Sequence, residues 1–199
     1  MKKIIWLLFI LTLVMANFNF VYSDEIDEKR VFIANEEQLA IMNSLINQNL
    51  STGEVFSIVC PEFLETVKNK DILFKDPFDK DVNLDINYNS IGQFSYTPHG
   101  CKITNYGNSI KFWAYIGTQF IRPYMNMEVH LYSRDTGDLA AYTWAEDVNV
   151  SDIEAIGYAD PPTGTYYAWS QAKWIVDDSG HWAVSNALSL DMYYHNPYQ

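Results

Sequence analysis

The first hydrophobic feature of the chain is an unbroken apolar run over residues 4–15 (IIWLLFILTLVM), preceded by Lys2 and Lys3 and followed by Val21-Tyr22-Ser23. Positive start, apolar centre and small residues at the end are the order of a secretory signal peptide. A membrane span needs roughly 20 apolar residues, and this run reaches that length only by including Asn17 and Asn19. The pattern predicts a signal peptide over 1–23, cleavage near Ser23–Asp24, a secreted or extracellular protein, and no stable membrane insertion. No Cys lies near the cleavage position, which argues against a lipid anchor.

Beyond the leader the pattern is first helical. Residues 24–30 (DEIDEKR) read as a solvated charged tail. Asn35 with Gln38 has the spacing of a capping box, and Leu39, Met42 and Ile46 follow at helical intervals, which predicts a helix over 36–48 ended by Ser51-Thr52-Gly53. Residues 55–59 (VFSIV) form a short continuous apolar run and read as a buried strand. Pro61 and Glu62 open a second short helix.

From residue 82 the period becomes two. Val82, Leu84, Ile86 and Tyr88 alternate with polar residues, and strand character returns at Ile103 and over 109–116. Strands over 126–133 and 138–144 flank a turn at 134–137. A second pair, 165–176 and 181–190, flanks Asp177-Asp178-Ser179-Gly180. Regularly spaced short strands predict a mainly β, antiparallel sandwich preceded by a small helix-containing layer. The aromatic content changes at the same place. Residues 24–85 hold five Phe but no Tyr or Trp, whereas 86–199 hold thirteen Tyr and five Trp. The expected organisation is therefore 1–23 signal peptide, 24–85 N-terminal α/β extension and 86–199 β-sandwich.

Residues 160–168 (DPPTGTYYA) resemble the entry to strand F of immunoglobulin-like domains. The resemblance spans roughly 95–190 and implies an immunoglobulin-like sandwich in which Tyr166 is the structural tyrosine corner. Antibody domains place a Cys two residues later, and here that position is Ala168. In outline the chain is similar to small secreted bacterial proteins of unknown function. The resemblance implies a fold and no activity.

Charge narrows the partners. The whole chain carries −12, and loss of Lys2 and Lys3 with the leader leaves 11 basic against 25 acidic residues, a net charge of −14. Such a polyanion is repelled by nucleic acid and by anionic membrane surfaces. Cys60 and Cys101 are an isolated pair, which an oxidising compartment would join as one disulfide. The bridge would be worth roughly 3–4 kcal/mol. The alternative is two buried free thiols that never meet.

Chemistry-bearing patterns are sparse. Asp79, Asp81, Asn83 and Asp85, continued by Asn87 and Asn89, offer oxygen ligands at alternate positions. An EF-hand counted from Asp79 fails, with Leu84 and Ser90 where Gly and Glu belong, and the ladder reads as solvated strand surface. Glu146, Asp147, Asp152 and Glu154 form a looser acidic group. His99, His130, His181 and His195 show no metal-pair spacing. No metal and no cofactor are expected, and no catalytic residue stands out. Tyr167, Trp169, Trp174 and Trp182 are the candidate ligand-facing aromatics, because aromatic side chains occur on both sides of the strand at 166–169. Their partner would be a glycan or another protein, unless the helical layer covers that face. The sequence thus predicts a secreted, non-enzymatic binding protein acting at the cell surface or matrix. The alternatives are an extracellular polysaccharide-active enzyme using paired carboxylates and a secreted toxin-like factor.

Overall fold

A computed structural model of the chain describes residues 29–67, 99–176 and 182–199. The signal segment, the ladder with Asp79, Asp81, Asn83 and Asp85, the strand expected from residue 82 and the turn at 177–180 lie outside the described residues.

The order is β1 (Arg30–Ile33), α1 (Glu36–Leu45), α2 (Thr52–Val59), α3 (Pro61–Thr66), β2 (His99–Tyr106), β3 (Ser109–Ser133), β4 (Leu139–Ala159), β5 (Gly164–Ile175), β6 (Trp182–Leu188) and β7 (Met192–Tyr194). The protein is mainly β, and the seven strands among the described residues belong to one sheet with antiparallel pairings throughout.

The helical stretch follows its caps. Asn35 accepts from the Gln38 amide at 2.9 Å, and the Gln38 side chain accepts from the Asn35 amide at 3.0 Å, so α1 starts where the capping box places it. Pro61 opens α3 as expected. Residues 55–59 are not a strand but the body of α2. Ser51, read as a terminator, is an initiator: its hydroxyl accepts from the Glu54 amide at 3.3 Å, and the Glu54 carboxylate accepts from the Ser51 amide at 2.8 Å. A five-residue apolar run has no period of its own, and this capping box decides its conformation. Arg30, assigned to the charged tail, instead begins β1 opposite Glu146.

Both long strands bend. β3 pairs with β4 from Ile110 to Gly117 and again from Arg122 to Tyr132, with a register break between Gly117 and Arg122. The bend divides the sheet into two leaves. β2 flanks the first half of β3, and β5 flanks the second half. Ile110, Phe112, Ala114 and Ile116 from one leaf share a buried cluster with Met125, Met127, Val129 and Leu131 from the other. Alternation puts each set on one face of its strand, so the sheet folds over its own apolar face. His99 bonds across this fold, with Nε2 and Nδ1 each 2.9 Å from the hydroxyls of Ser170 and Ser185. Gly157 is required here, since a Cβ on it would lie 2.2 Å from the Phe112 ring.

The outer face carries the helices. Phe32, Met42, Phe56, Leu64, Tyr142 and Trp144 form a second buried cluster. Phe56 meets the Trp144 ring edge-on, with centroids 5.3 Å apart and planes at 81°. β1 and the helices therefore share a core with strands beyond residue 86.

Candidate functional site: a cleft between the helices and the sheet

Glu128, His130 and Tyr132 occupy alternate positions of β3 and so point to the helix side. Their cross-strand neighbours are Gln171, Trp169 and Tyr167 on β5. On β4, Trp144 lies across from Glu128 and Tyr142 across from His130. The helical layer leaves part of this row uncovered. A cleft of about 380 Å³ remains, floored by Glu128, His130, Tyr132, Trp169, Gln171 and Lys173. Its opposite wall is mainly aliphatic, from Met42, Leu45, Ile46, Leu50 and Val55, with Asn49, Ser51 and Thr52 at the polar end.

The floor is a connected polar and aromatic array. Glu128, 13% exposed, has Oε2 3.2 Å from His130 Nε2. The same oxygen accepts from the Tyr142 hydroxyl at 3.2 Å. His130 Nδ1 lies 3.1 Å from the Tyr132 hydroxyl. The His130 ring stacks on Tyr132 at 21° and meets Trp169 edge-on, with centroids 4.9 Å apart. Tyr132 stacks on Tyr167 at 24°, and the Arg134 guanidinium sits 3.8 Å from the Tyr167 centroid. Lys173 reaches across to α2 and donates to the Thr52 hydroxyl at 3.3 Å.

Burial by itself raises the Glu128 pKa. The hydrogen bond and charge of His130, the Lys173 ammonium and the Tyr142 hydroxyl outweigh it and hold the carboxyl at about 2. Burial and the charge of Glu128 push Tyr132 up to about 12, and the same two causes raise Tyr142 strongly. At neutral pH the site therefore presents a carboxylate and intact phenols opposite a mainly aliphatic wall. This arrangement can hold a ligand with one hydrogen-bonding side and one apolar side. Glu128 is not placed to donate a proton at neutral pH.

The candidate aromatics separate. Tyr167 and Trp169 face the helix side, and Trp169 lines the cleft. Trp182 sits edge-on to Tyr124, with centroids 6.0 Å apart. Trp174 turns the other way, into the inner core, and is 8% exposed. Its even position gives it the facing of Tyr166 and Ala168, so it is not ligand-facing. Tyr166 is buried and donates its hydroxyl to the Pro162 carbonyl at 2.6 Å.

Cys60 and Cys101 are free and buried, Cys60 in the helix-side cluster and Cys101 in the inner one. The two clusters lie on opposite faces of the sheet, and the expected bridge is not formed. The looser acidic group does not converge: Glu146 is buried with Oε1 3.4 Å from Arg30, whereas Asp147 accepts from the Val148 amide. Among the described residues no group of three or more His, Cys, Asp or Glu could hold a metal ion, and no helix is long and apolar enough to cross a membrane.

Sequence reading missed Glu128, His130 and Tyr132 as a unit. The signal was present in their alternation within the strand expected over 126–133. The Lys173–Thr52 contact, between residues 121 apart, left no local trace.

Fold and cleft together define a mainly β protein with helices packed over one face of a folded antiparallel sheet. No protein-family model matches the chain, and no curated protein or solved structure is significantly similar to it.

Proposed function

We propose that this is a secreted, non-enzymatic protein that acts by binding, at the cell surface or in the surrounding matrix, and that the helix–sheet cleft is its ligand site. One observation carries the reading: the Glu128–His130 pair lies in a cleft that also holds Trp169 and Lys173 and faces a mainly aliphatic wall. The leader over 1–23 supports the location. The acidic charge argues for a ligand that is not nucleic acid. The immunoglobulin-like character of the fold is supported by the Tyr166–Pro162 bond and by the folding of the sheet over its own core.

Binding is favoured over glycoside hydrolysis because a glycosidase needs two carboxyl groups flanking the bond it cleaves. Glu128 is the one acidic side chain among the described residues that line the cleft.

Calorimetry with 4-nitrophenyl glycosides tests both readings, since these probes pair an aromatic group with a sugar. Saturable heat that disappears in Trp169→Ala, without release of nitrophenolate, is the expected result. Release of nitrophenolate would establish the enzymatic alternative. No saturable heat with glucoside, galactoside or xyloside would remove the glycan-type ligand.

A further inference from the structure

The leaf built from β2, the first half of β3 and the second half of β4 has an outer face at which, among the described residues, the helix-side cluster places none. Register fixes what it presents. One row across the three strands is Gly100, Tyr115 and Glu154. The next is Lys102, Trp113 and Ile156, and the third is Thr104, Lys111 and Tyr158. Tyr106 extends the face at the end of β2, its ring 5.4 Å from that of Tyr158. Alternation sends all these side chains outward, because Phe112, Ala114 and Ile116 between them are in the inner core.

The three tyrosine rings are open to solvent, and Trp113 is half-buried between them. Tyr106 is 60% exposed, Tyr158 49% and Tyr115 42%. A row of exposed aromatic side chains on a rigid sheet marks a binding surface, and ring faces stack on apolar faces of a partner. The charge beside them is unusual for this chain. Lys111 Nζ lies 4.8 Å from the Trp113 centroid, and Lys102 is next to Trp113 across β2. Lys29 approaches the same leaf and donates to the Glu154 carbonyl. In a protein of net charge −12, three lysines gather around one aromatic platform. Among the described residues, acidic side chains stand only at the Tyr115 end of this face, Glu154 in its row and Asp152 one row beyond.

We infer that this platform binds an anionic polysaccharide. The pyranose faces lie on Tyr158 and Tyr106, Trp113 supports the platform beneath Lys111, and the ligand carboxylates lie over Lys102 and Lys111. The surface is separate from the helix–sheet cleft, and the inference does not depend on the cleft binding anything.

Affinity electrophoresis of the mature protein in gels containing polygalacturonate tests it, with hydroxyethyl cellulose as the neutral polymer. Polygalacturonate should retard the protein, added salt should weaken the retardation, and the neutral polymer should have little effect. Lys102→Glu with Lys111→Glu, and separately Trp113→Ala, should each weaken binding about tenfold or more. Tyr158→Ser provides a second aromatic variant at a more exposed position, and melting curves verify that each variant folds. The inference is overturned by unretarded wild type, by folded variants that bind like wild type, or by equal retardation in the neutral polymer. It is also overturned if the face mediates a dimer that Tyr158→Ser splits, or if phosphatidylglycerol vesicles bind where polygalacturonate does not.

Discussion

Glu128 Oε2 and His130 Nε2 lie 3.2 Å apart, two positions apart on one strand and on the same face of the sheet. This spacing places a carboxylate and an imidazole side by side on the cleft floor, with Tyr142 supplying a second donor to the same oxygen. The pair belongs both to the stability of the fold and to the proposed ligand site.

The first consequence is acid sensitivity. The Glu128 pKa falls from 4.5 to about 2 on folding. A carboxyl depressed in the folded state contributes stability that is fully present above its unfolded pKa. That contribution is lost as pH falls from about 4.5 towards 2, and its size is on the order of 3 kcal/mol. Glu128→Gln should flatten this part of the stability–pH curve, measured by urea denaturation. An unchanged slope would show that Glu128 is not the responsible group.

His99 gives a different window. Burial lowers its pKa from 6.5 to about 4, so the folded protein holds it neutral while the unfolded chain takes up a proton. Stability should fall as pH drops from about 6.5 to about 4, and His99→Gln should remove that step. Proton titration of His99 by NMR checks the assignment directly. An ordinary histidine pKa in the folded protein would contradict it.

Gly157 should resist substitution. A Cβ there would lie 2.2, 2.6 and 2.8 Å from three atoms of the Phe112 ring, which is itself fully buried. Gly157→Ala is expected to cost about 1–3 kcal/mol through overpacking. Thermal unfolding reads the loss, and Gly157→Ala with Phe112→Leu should recover part of it.

Tyr166→Phe isolates one hydrogen bond. The ring stays in the inner core, and only the 2.6 Å bond to the Pro162 carbonyl is removed. The expected loss is about 1 kcal/mol by denaturant titration. A change below measurement error would mean that the bond adds nothing beyond what water supplies.

Ser51→Ala should destabilise α2 by about 1 kcal/mol, because the hydroxyl caps the Glu54 amide. Since Thr52 at the start of α2 receives the Lys173 bond, the same variant should also weaken any ligand held in the cleft. Unaltered binding would place the ligand away from the Lys173 end.

Local signals in the chain were sufficient at several caps and turns. Asn35 and Gln38 set the start of α1, Pro61 that of α3, and the turn at 134–137 joins β3 to β4 with Gly137 at φ 79°. The pairing of β5 with β6 joins the two runs expected to form a hairpin. The alternation of Glu128, His130 and Tyr132 was also legible, as was the opposite facing of Trp174. The run at 55–59 reads as a strand from composition but is helical, because a few apolar residues satisfy either form and the Ser51–Glu54 capping box decides for the helix.

Only the tertiary structure decided the rest. The bend between Gly117 and Arg122 brings Phe112 and Met127 into one core and leaves Trp113 on an open face. It also fixes where Cys101 lies, in the inner cluster, away from the helix-side cluster that holds Cys60. The cleft exists because helices at one end of the chain settle on strands far along it. Periodicity tells which side of a strand a residue faces. What lies against that side depends on contacts between distant segments, and no local pattern encodes them.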